Sequence, residues 1–125
     1  VGSTGARERQ DREFWDSLQG EIYLVNFEPS VGHEYRKVRP ALVIQSNDIS
    51  SSLVTVMPIS SKIGSWQEPD VFISKDAKNR LMCDSIIRVR QISSFDTGRF
   101  IKRIGEVNSP VLRKVRGYLR KHFLL

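Results

Sequence analysis

The chain has 125 residues, of which 39% are apolar and 27% are charged, a composition that indicates a folded globular protein and excludes a largely disordered one. No apolar run approaches the roughly 20 residues of a membrane-spanning helix, and there is no signal peptide pattern at the start. Cys83 is the only cysteine, which excludes an internal disulfide and argues against a structural zinc site. We therefore expect a cytoplasmic protein that does not associate with a membrane.

The net charge of +6 is distributed unevenly along the chain. Residues 1–35 carry a net charge of −4, whereas residues 36–125 carry +10. A strongly basic body favours a polyanionic partner, either nucleic acid or an acidic protein. The alternative is a basic surface that only confers solubility.

Residues 6–18 have the composition of a helix, with an apolar patch at Phe14, Trp15 and Leu18, and Gly20 ends the pattern. We expect an N-terminal helical extension over residues 1–19 and a main domain over residues 20–125. The extension is acidic and aromatic, so it could dock on the basic surface of the domain. A simple appendage is the alternative.

Three strands are predicted in the first half of the domain. Residues 21–27 alternate between two apolar faces, as a strand does. A continuous apolar run in residues 38–45 predicts a second strand in the centre of a sheet. Residues 53–59 predict a third, and Pro58 indicates a sheet edge or a bulge near its end.

The second half of the domain predicts further short elements and one clear helix. The short elements are a strand at 70–74, a charged turn at 75–80, a fifth strand at 81–92, a 3₁₀ turn at 93–95 and a strand at 100–104. Short strands without intervening helices predict a compact antiparallel barrel. Residues 109–125 predict a C-terminal helix with Ser109 as its N-cap and an apolar stripe through Val115.

The candidate chemistry lies in two polar loops and on the fifth strand. The cationic and polar side chains are His33, Glu34, Arg36, Lys37 and Arg39 in the first loop, Ser60, Ser61 and Lys62 in the second, and Arg88 and Arg90 on the strand. Phe27, Tyr35 and Trp66 are aromatic side chains that could stack on unpaired bases. No metal-ligand spacing, phosphate-binding loop or nucleophile motif accompanies them, so we expect a site without metal or cofactor.

Such a set suits the cleavage of RNA by its own 2′-hydroxyl. That reaction needs a base for the hydroxyl proton, an acid for the 5′-oxygen and a cation for the charge on phosphorus. Glu34 and His33 can exchange protons, Arg39 can neutralise the charge, and the Ser60 hydroxyl can hold a phosphate oxygen. Loops also carry such residues as solvated surface, and that alternative stays open on spacing alone.

Several motifs occur in a characteristic order. They are Gly-Glu-Ile-Tyr at 20–23, Gly-His-Glu at 32–34, Val-Arg-Pro at 38–40, Leu-Val-Ile-Gln at 42–45, Met-Pro-Ile-Ser at 57–60, Asp-Ser at 84–85 and Arg-Val-Arg-Gln-Ile at 88–92. Followed by a C-terminal helix, this order resembles the MazF/PemK/Kid family of type II toxin ribonucleases. The resemblance implies a mainly β fold, an SH3-like small antiparallel barrel of the MazF/CcdB type, and a homodimer.

The resemblance also implies an activity and its partners. The activity is metal-independent cleavage of single-stranded RNA at a short sequence, which leaves a 2′,3′-cyclic phosphate and a 5′-hydroxyl. The implied protein partner is a small acidic antitoxin similar to MazE or PemI. No cofactor is implied.

The resemblance assigns Arg39, the arginine of the Arg-Pro pair, as the main catalytic residue, with Ser60 in the place of a family Thr. Glu34 and His33 are carried over from the Gly-His-Glu motif as catalytic residues. Arg88 matches a strand-five arginine of Kid-like members, but a catalytic Asp two residues later is replaced by Arg90, which favours the Arg39–Ser60 arrangement. The residues expected to bind RNA are Phe27, Arg36, Lys37, Ser61, Lys62, Trp66, Arg88, Arg90 and Gln91.

Other interpretations remain at this point. Arg39 could anchor its loop by an ion pair, Arg88 could pair with Asp84 or Glu34, and Trp66 could pack its loop. The whole chain could be a binding module on the same barrel, either an inactive RNA-binding relative or a gyrase poison like CcdB. The gyrase activity is associated with a Trp-Gly-Ile chain end, whereas this chain ends Phe-Leu-Leu.

Overall fold

The computed structural model describes residues 19–28, 38–46 and 52–125. The predicted N-terminal helix lies outside the described residues. So does most of the first polar loop, including His33, Glu34, Arg36 and Lys37.

Seven strands and one α-helix form the regular structure of the described residues. The strands are β1 (Glu21–Asn26), β2 (Val38–Val43), β3 (Leu53–Ser60), β4 (Val71–Ile73), β5 (Ser85–Ile87), β6 (Ser93–Asp96) and β7 (Phe100–Glu106), and the helix is α1 (Ser109–Phe123). Short 3₁₀ helices occupy Ile63–Ser65, Val89–Gln91 and Thr97–Arg99. The mainly β fold with a C-terminal helix is therefore confirmed.

The strands pair in the order β4-β5-β3-β2-β1-β7, and β6 pairs with β3 beside this path. All the ladders are antiparallel. As predicted from its apolar run, β2 lies inside the sheet, between β1 and β3. Among the described residues no ladder joins the two ends of the sheet, so the predicted barrel is not closed by hydrogen bonding between strands.

The central strands place apolar side chains on both faces of the sheet, because successive residues in a strand project in opposite directions. We call the first face the helix cluster; its buried members are Ile22, Leu42, Met57, Ile59, Val71, Ile73, Leu81, Ile87, Val89, Val107 and Val115. We call the second the aromatic cluster; its buried members are Tyr23, Val25, Phe27, Ala41, Val43, Val54, Val56 and Phe100. The predicted alternation of β1 and β3 is confirmed by this division.

Helix α1 covers the helix cluster with its predicted apolar stripe. Val115 is fully buried there, and Leu112 and Leu119 are partly buried against the same cluster, whereas Phe123 is exposed. The N-cap is Asn108 and not Ser109 as predicted: the Asn108 side chain accepts a hydrogen bond from the Val111 amide at 2.9 Å. Asn and Ser both cap well, so the sequence could not separate two adjacent candidates.

Two predicted elements after residue 80 are wrong. The expected strand at 81–92 is reduced to Ser85–Ile87, and the expected 3₁₀ turn at 93–95 is strand β6. Residues 85–89 are all buried, so the alternation expected of a half-exposed strand is absent. The strand ends where the chain turns into the 3₁₀ helix Val89–Gln91.

Pro58 lies within an interior strand, not at an edge. On one side β3 pairs with β2, where Pro58 faces Ala41. On its other side β3 pairs first with β6, up to Val56, and then with β5, from Ile59 onward. Pro58 occupies the change of partner, where a missing N–H costs no ladder bond.

Two features are absent from the described residues. No helix there is both long and apolar enough to cross a membrane. No group of three or more His, Cys, Asp and Glu side chains in the same ranges is arranged to hold a metal ion.

Candidate active site

Arg39 lies near the start of β2, directly opposite Val25 of β1. Directly opposite residues of an antiparallel pair project to the same face, so Arg39 is on the face of the aromatic cluster. Its neighbour Pro40 pairs with Leu24 and fixes the local backbone φ angle. Arg39 is partly buried, so the side chain that carries the guanidinium is attached to a strand at the border of the core.

Ser60 is the last residue of β3 and is 7% exposed. It pairs with Ile86 of β5, and its Oγ accepts a hydrogen bond from the Lys62 amide at 3.1 Å. Because Oγ is the acceptor in this bond, the hydroxyl hydrogen can still be donated to a phosphate oxygen.

The register between β2 and β3 relates these two residues. Ala41 pairs with Pro58, Leu42 with Met57 and Val43 with Val56. The ladder ends at Ala41 and Pro58; continued two residues farther along each strand, its register would set Arg39 opposite Ser60. Strand alternation puts both side chains on the same face of the sheet. The antiparallel pairing therefore puts the start of β2 and the end of β3 at the same end of this ladder.

Residues after Ser60 form the second predicted loop. Ser61 and Lys62 are exposed, and a 3₁₀ helix follows at Ile63–Ser65. Trp66 is 41% exposed, and its ring stacks on Phe72 with the centroids 6.3 Å apart and the planes at 11°. The loop thus combines a cation, hydroxyl groups and an accessible aromatic ring directly after the candidate catalytic serine.

Arg88 is buried beneath this loop. Its Nη1 lies 2.8 Å from Oδ2 of Asp70, and each of the two residues is only 8% exposed. Arg88 therefore pairs with an acid, as one interpretation of the sequence held, but among the described residues the partner is Asp70 and not Asp84, while Glu34 lies outside those residues.

Arg90 and Gln91 lie in the 3₁₀ helix after β5, and both are exposed. Arg90 lines an open groove of about 450 Å³ between that helix, the Glu68–Pro69 turn and the end of α1. Tyr118, Lys121 and His122 line the groove from α1. Arg90 is thus available to solvent, unlike Arg88.

Phe27 does not reach the surface. It is 7% exposed, belongs to the aromatic cluster and packs edge-on against Phe95 with the centroids 5.0 Å apart. A ring enclosed in the core has no free face on which a base can stack.

Two contributors to the site were not found in the sequence. Asp70 neutralises Arg88, and Phe72 supports Trp66. Asp70 is a single carboxylate in a loop, and Phe72 fits an ordinary strand position, so neither has a local signal. Only the pairing of β4 with β5 brings Phe72 beside Ile86 and the loop beside Arg88.

Comparisons with known proteins identify the family of the chain. A family model described as the PemK-like, MazF-like toxin of type II toxin–antitoxin systems matches residues 18–123. Endoribonuclease MazF9 of Mycobacterium tuberculosis is 30% identical over 112 residues, which cover 83% of this chain and 93% of that protein.

Solved structures give the same fold. The crystal structure of MazF (Form-I) from Deinococcus radiodurans matches with a TM-score of 0.69 at 23% identity, covering 86% of this chain and 96% of that chain. An endoribonuclease in complex with its cognate antitoxin, from a mycobacterial species, matches with a TM-score of 0.64 at 13% identity, covering 88% and 95%. The chain belongs to the PemK-like, MazF-like toxins of type II toxin–antitoxin systems.

Proposed function

We propose that this chain is the toxin of a type II toxin–antitoxin system and acts as a sequence-specific endoribonuclease on single-stranded RNA, chiefly mRNA. The family supports this function, because its relative MazF9 is an endoribonuclease. The observation that carries the proposal is the antiparallel ladder between β2 and β3, whose register, continued by two residues, would set Arg39 opposite Ser60.

The reaction is a transfer of the phosphodiester to the neighbouring 2′-oxygen. The 2′-oxygen attacks phosphorus, the new O2′–P bond forms, and the P–O5′ bond breaks. The products are a 2′,3′-cyclic phosphate and a 5′-hydroxyl. A base takes the 2′-hydroxyl proton and an acid supplies a proton to the 5′-oxygen.

Arg39 and Ser60 act on the phosphate in this mechanism. The Arg39 guanidinium stabilises the negative charge that grows on the non-bridging oxygens. The Ser60 hydroxyl donates a hydrogen bond to one of these oxygens. Glu34 and His33 are proposed as the proton-exchanging residues, on the family motif alone.

The RNA path is proposed to follow the exposed residues around this pair. Ser61, Lys62, Trp66, Arg90 and Gln91 supply it from the described residues, and Arg36 and Lys37 are added from the sequence. Phe27 is omitted from this path because it is buried. The net charge of +6 supports a polyanionic substrate.

The partners and setting follow from the family. We propose a cytoplasmic homodimer that a cognate acidic antitoxin neutralises. The mycobacterial endoribonuclease of the same fold was solved in complex with its cognate antitoxin, which supports neutralisation by an antitoxin. We further propose that residues 20–125 form the toxin domain, an SH3-like barrel, and that residues 1–19 are a separate helical extension.

A non-catalytic module on the same barrel was the alternative function. It is not favoured, because the family match and the relative MazF9 point to an endoribonuclease.

A substrate modified at one atom tests the mechanism. An RNA with a single 2′-deoxy nucleotide at the scissile position lacks the attacking oxygen, so cleavage there should stop while neighbouring sites continue to be cut. A chelator should leave the rate unchanged. Cleavage at the deoxy position would show that the 2′-hydroxyl is not the nucleophile.

A further inference from the structure

A buried ion pair lies under the loop that follows Ser60. Arg88 and Asp70 form this pair, with Nη1 and Oδ2 2.8 Å apart, and the two side chains are 10% and 8% exposed. Asp70 precedes β4 and Arg88 follows β5, so the pair joins the two strands where they leave the sheet.

Both members of the pair also bind the loop. Arg88 donates from Nη1 to the Ser65 carbonyl at 3.2 Å and from Nη2 to Ser65 Oγ at 2.6 Å. Asp70 accepts from the Gln67 amide at 3.0 Å through Oδ2, and its backbone carbonyl accepts from Trp66 Nε1 at 2.6 Å. Two loop residues, Ser65 and Gln67, are thereby tied to the charged side chains, and Trp66 between them is tied to the backbone of Asp70.

The pair is poorly suited to serve only stability. Moving two charges out of water is costly, and apolar residues of similar size often stabilise a protein as well or better. Arg88 Nε is buried without a hydrogen-bond partner among the described residues, which adds to the cost. What an apolar pair cannot supply is the set of directional side-chain bonds to Ser65 and Gln67, the residues on either side of Trp66.

We propose that the Arg88–Asp70 pair is a positioning device for RNA recognition. It holds the Ser61–Gln67 segment so that Lys62 and Trp66 meet the RNA next to Ser60. Arg88 acts through the loop and does not touch the scissile phosphate, because its guanidinium is already engaged by Asp70 and Ser65. This inference rests on the proposed function and assigns Arg88 a different part in it from a phosphate contact.

The test compares Asp70→Asn, Arg88→Met and the double variant, all in a Trp15→Phe background so that fluorescence reports Trp66 alone. Each single variant removes the same ion pair, so each should raise KM by about tenfold with kcat nearly unchanged. The double variant should be no worse than either single one, because the two residues act as a unit. The double variant also removes both buried charges. It can therefore be measured even if a single variant, which leaves one buried charge unpaired, does not fold.

A measurement without RNA tests the loop geometry separately. In the variants, Trp66 emission should shift to the red and acrylamide should quench it more readily, because Ser65 and Gln67 on either side of it lose the side-chain bonds that hold this part of the loop. The control is Arg103→Met, which breaks the exposed Arg103–Glu21 pair between β7 and β1 and should change neither KM nor emission.

Two results would overturn the inference. One is a loss of kcat by about a hundredfold or more in Arg88→Met with normal kinetics in Asp70→Asn, since that indicates direct action on the phosphate. The other is unchanged Trp66 fluorescence in all three variants. If the Trp15→Phe background cuts no RNA, the proposed function fails, while the emission data still decide whether the pair orders the loop.

Discussion

At the scale of single residues, the account depends on Arg39 and the strand that carries it. The residue lies in a ladder with β1, beside a proline, at the border of a buried cluster. A backbone held in this way fixes where the arginine side chain starts, which favours electrostatic stabilisation of a transition state at a defined position.

Arg39→Ala should reduce kcat by on the order of 10²–10³-fold, because the charge on phosphorus then has no fixed cation. The fold should persist, since the backbone pairing with Val25 does not use the side chain. Single-turnover cleavage and circular dichroism check both points. Arg39→Lys is the matched variant: it keeps the charge, loses the two-pronged geometry and should be intermediate.

Substitutions of Ser60 provide a second test at the scale of single residues. Ser60→Thr keeps the hydroxyl and should retain cleavage, whereas Ser60→Ala should lower kcat by roughly tenfold or more because a donor to the phosphate is lost. Ser74→Ala, at an exposed position after β4 that is given no part in the site, is the control. Equal rates for Ser60→Ala and the wild type would remove Ser60 from the mechanism.

At the scale of elements, the contact between β7 and the 75–80 turn is unusually close. The Glu106 amide donates to the Lys78 carbonyl at 3.1 Å. A Cβ on Gly105 would lie 2.5 Å from that carbonyl and 2.7 Å from the Asn79 carbonyl. The sequence shows only a glycine in a strand, but the structure shows that this turn requires it.

Gly105→Ala should therefore destabilise the protein by about 1–3 kcal/mol, because the backbone of the turn must move. Gly117→Ala is the matched control: Gly117 is an exposed position of α1, and a Cβ there meets nothing within 4 Å. That change should stabilise by about 0.5–1 kcal/mol, since glycine is a poor helix former. Urea unfolding of both variants gives the sign of the change in the free energy of unfolding at each position.

The elements that could be predicted are those that local pattern determines. The apolar alternation of residues 21–27 and 53–59 predicts β1 and β3, and the stripe through Val115 predicts α1. The short length of β5 could not be predicted. In the sequence Arg88 fits an exposed strand position, and only its buried pair with Asp70 shows otherwise. For the site, the Arg-Pro motif and Ser60 could be found in the sequence, whereas the support of Trp66 by Phe72 depends on tertiary contacts.

At the scale of the whole molecule, the excess of positive charge should govern RNA affinity. Each phosphate that a cation neutralises releases counterions, so the affinity for single-stranded RNA should fall with salt at a log–log slope of about −0.7 per contact. Lys62→Ala should make this slope shallower by about 0.7. Lys78→Ala, in the turn against β7, should leave it unchanged. Filter binding to a non-cleavable 2′-deoxy RNA measures both slopes.

The most direct test of the central claim is to map the 5′ ends of RNA cut by the purified protein in the presence of excess chelator, with Arg39→Ala in parallel. The account predicts discrete cuts at one short sequence, each leaving a 5′-hydroxyl, and cutting by the variant that is slower by on the order of 10²-fold or more. Absence of cutting by the wild type, 5′-phosphate ends, or equal cutting by Arg39→Ala would contradict it.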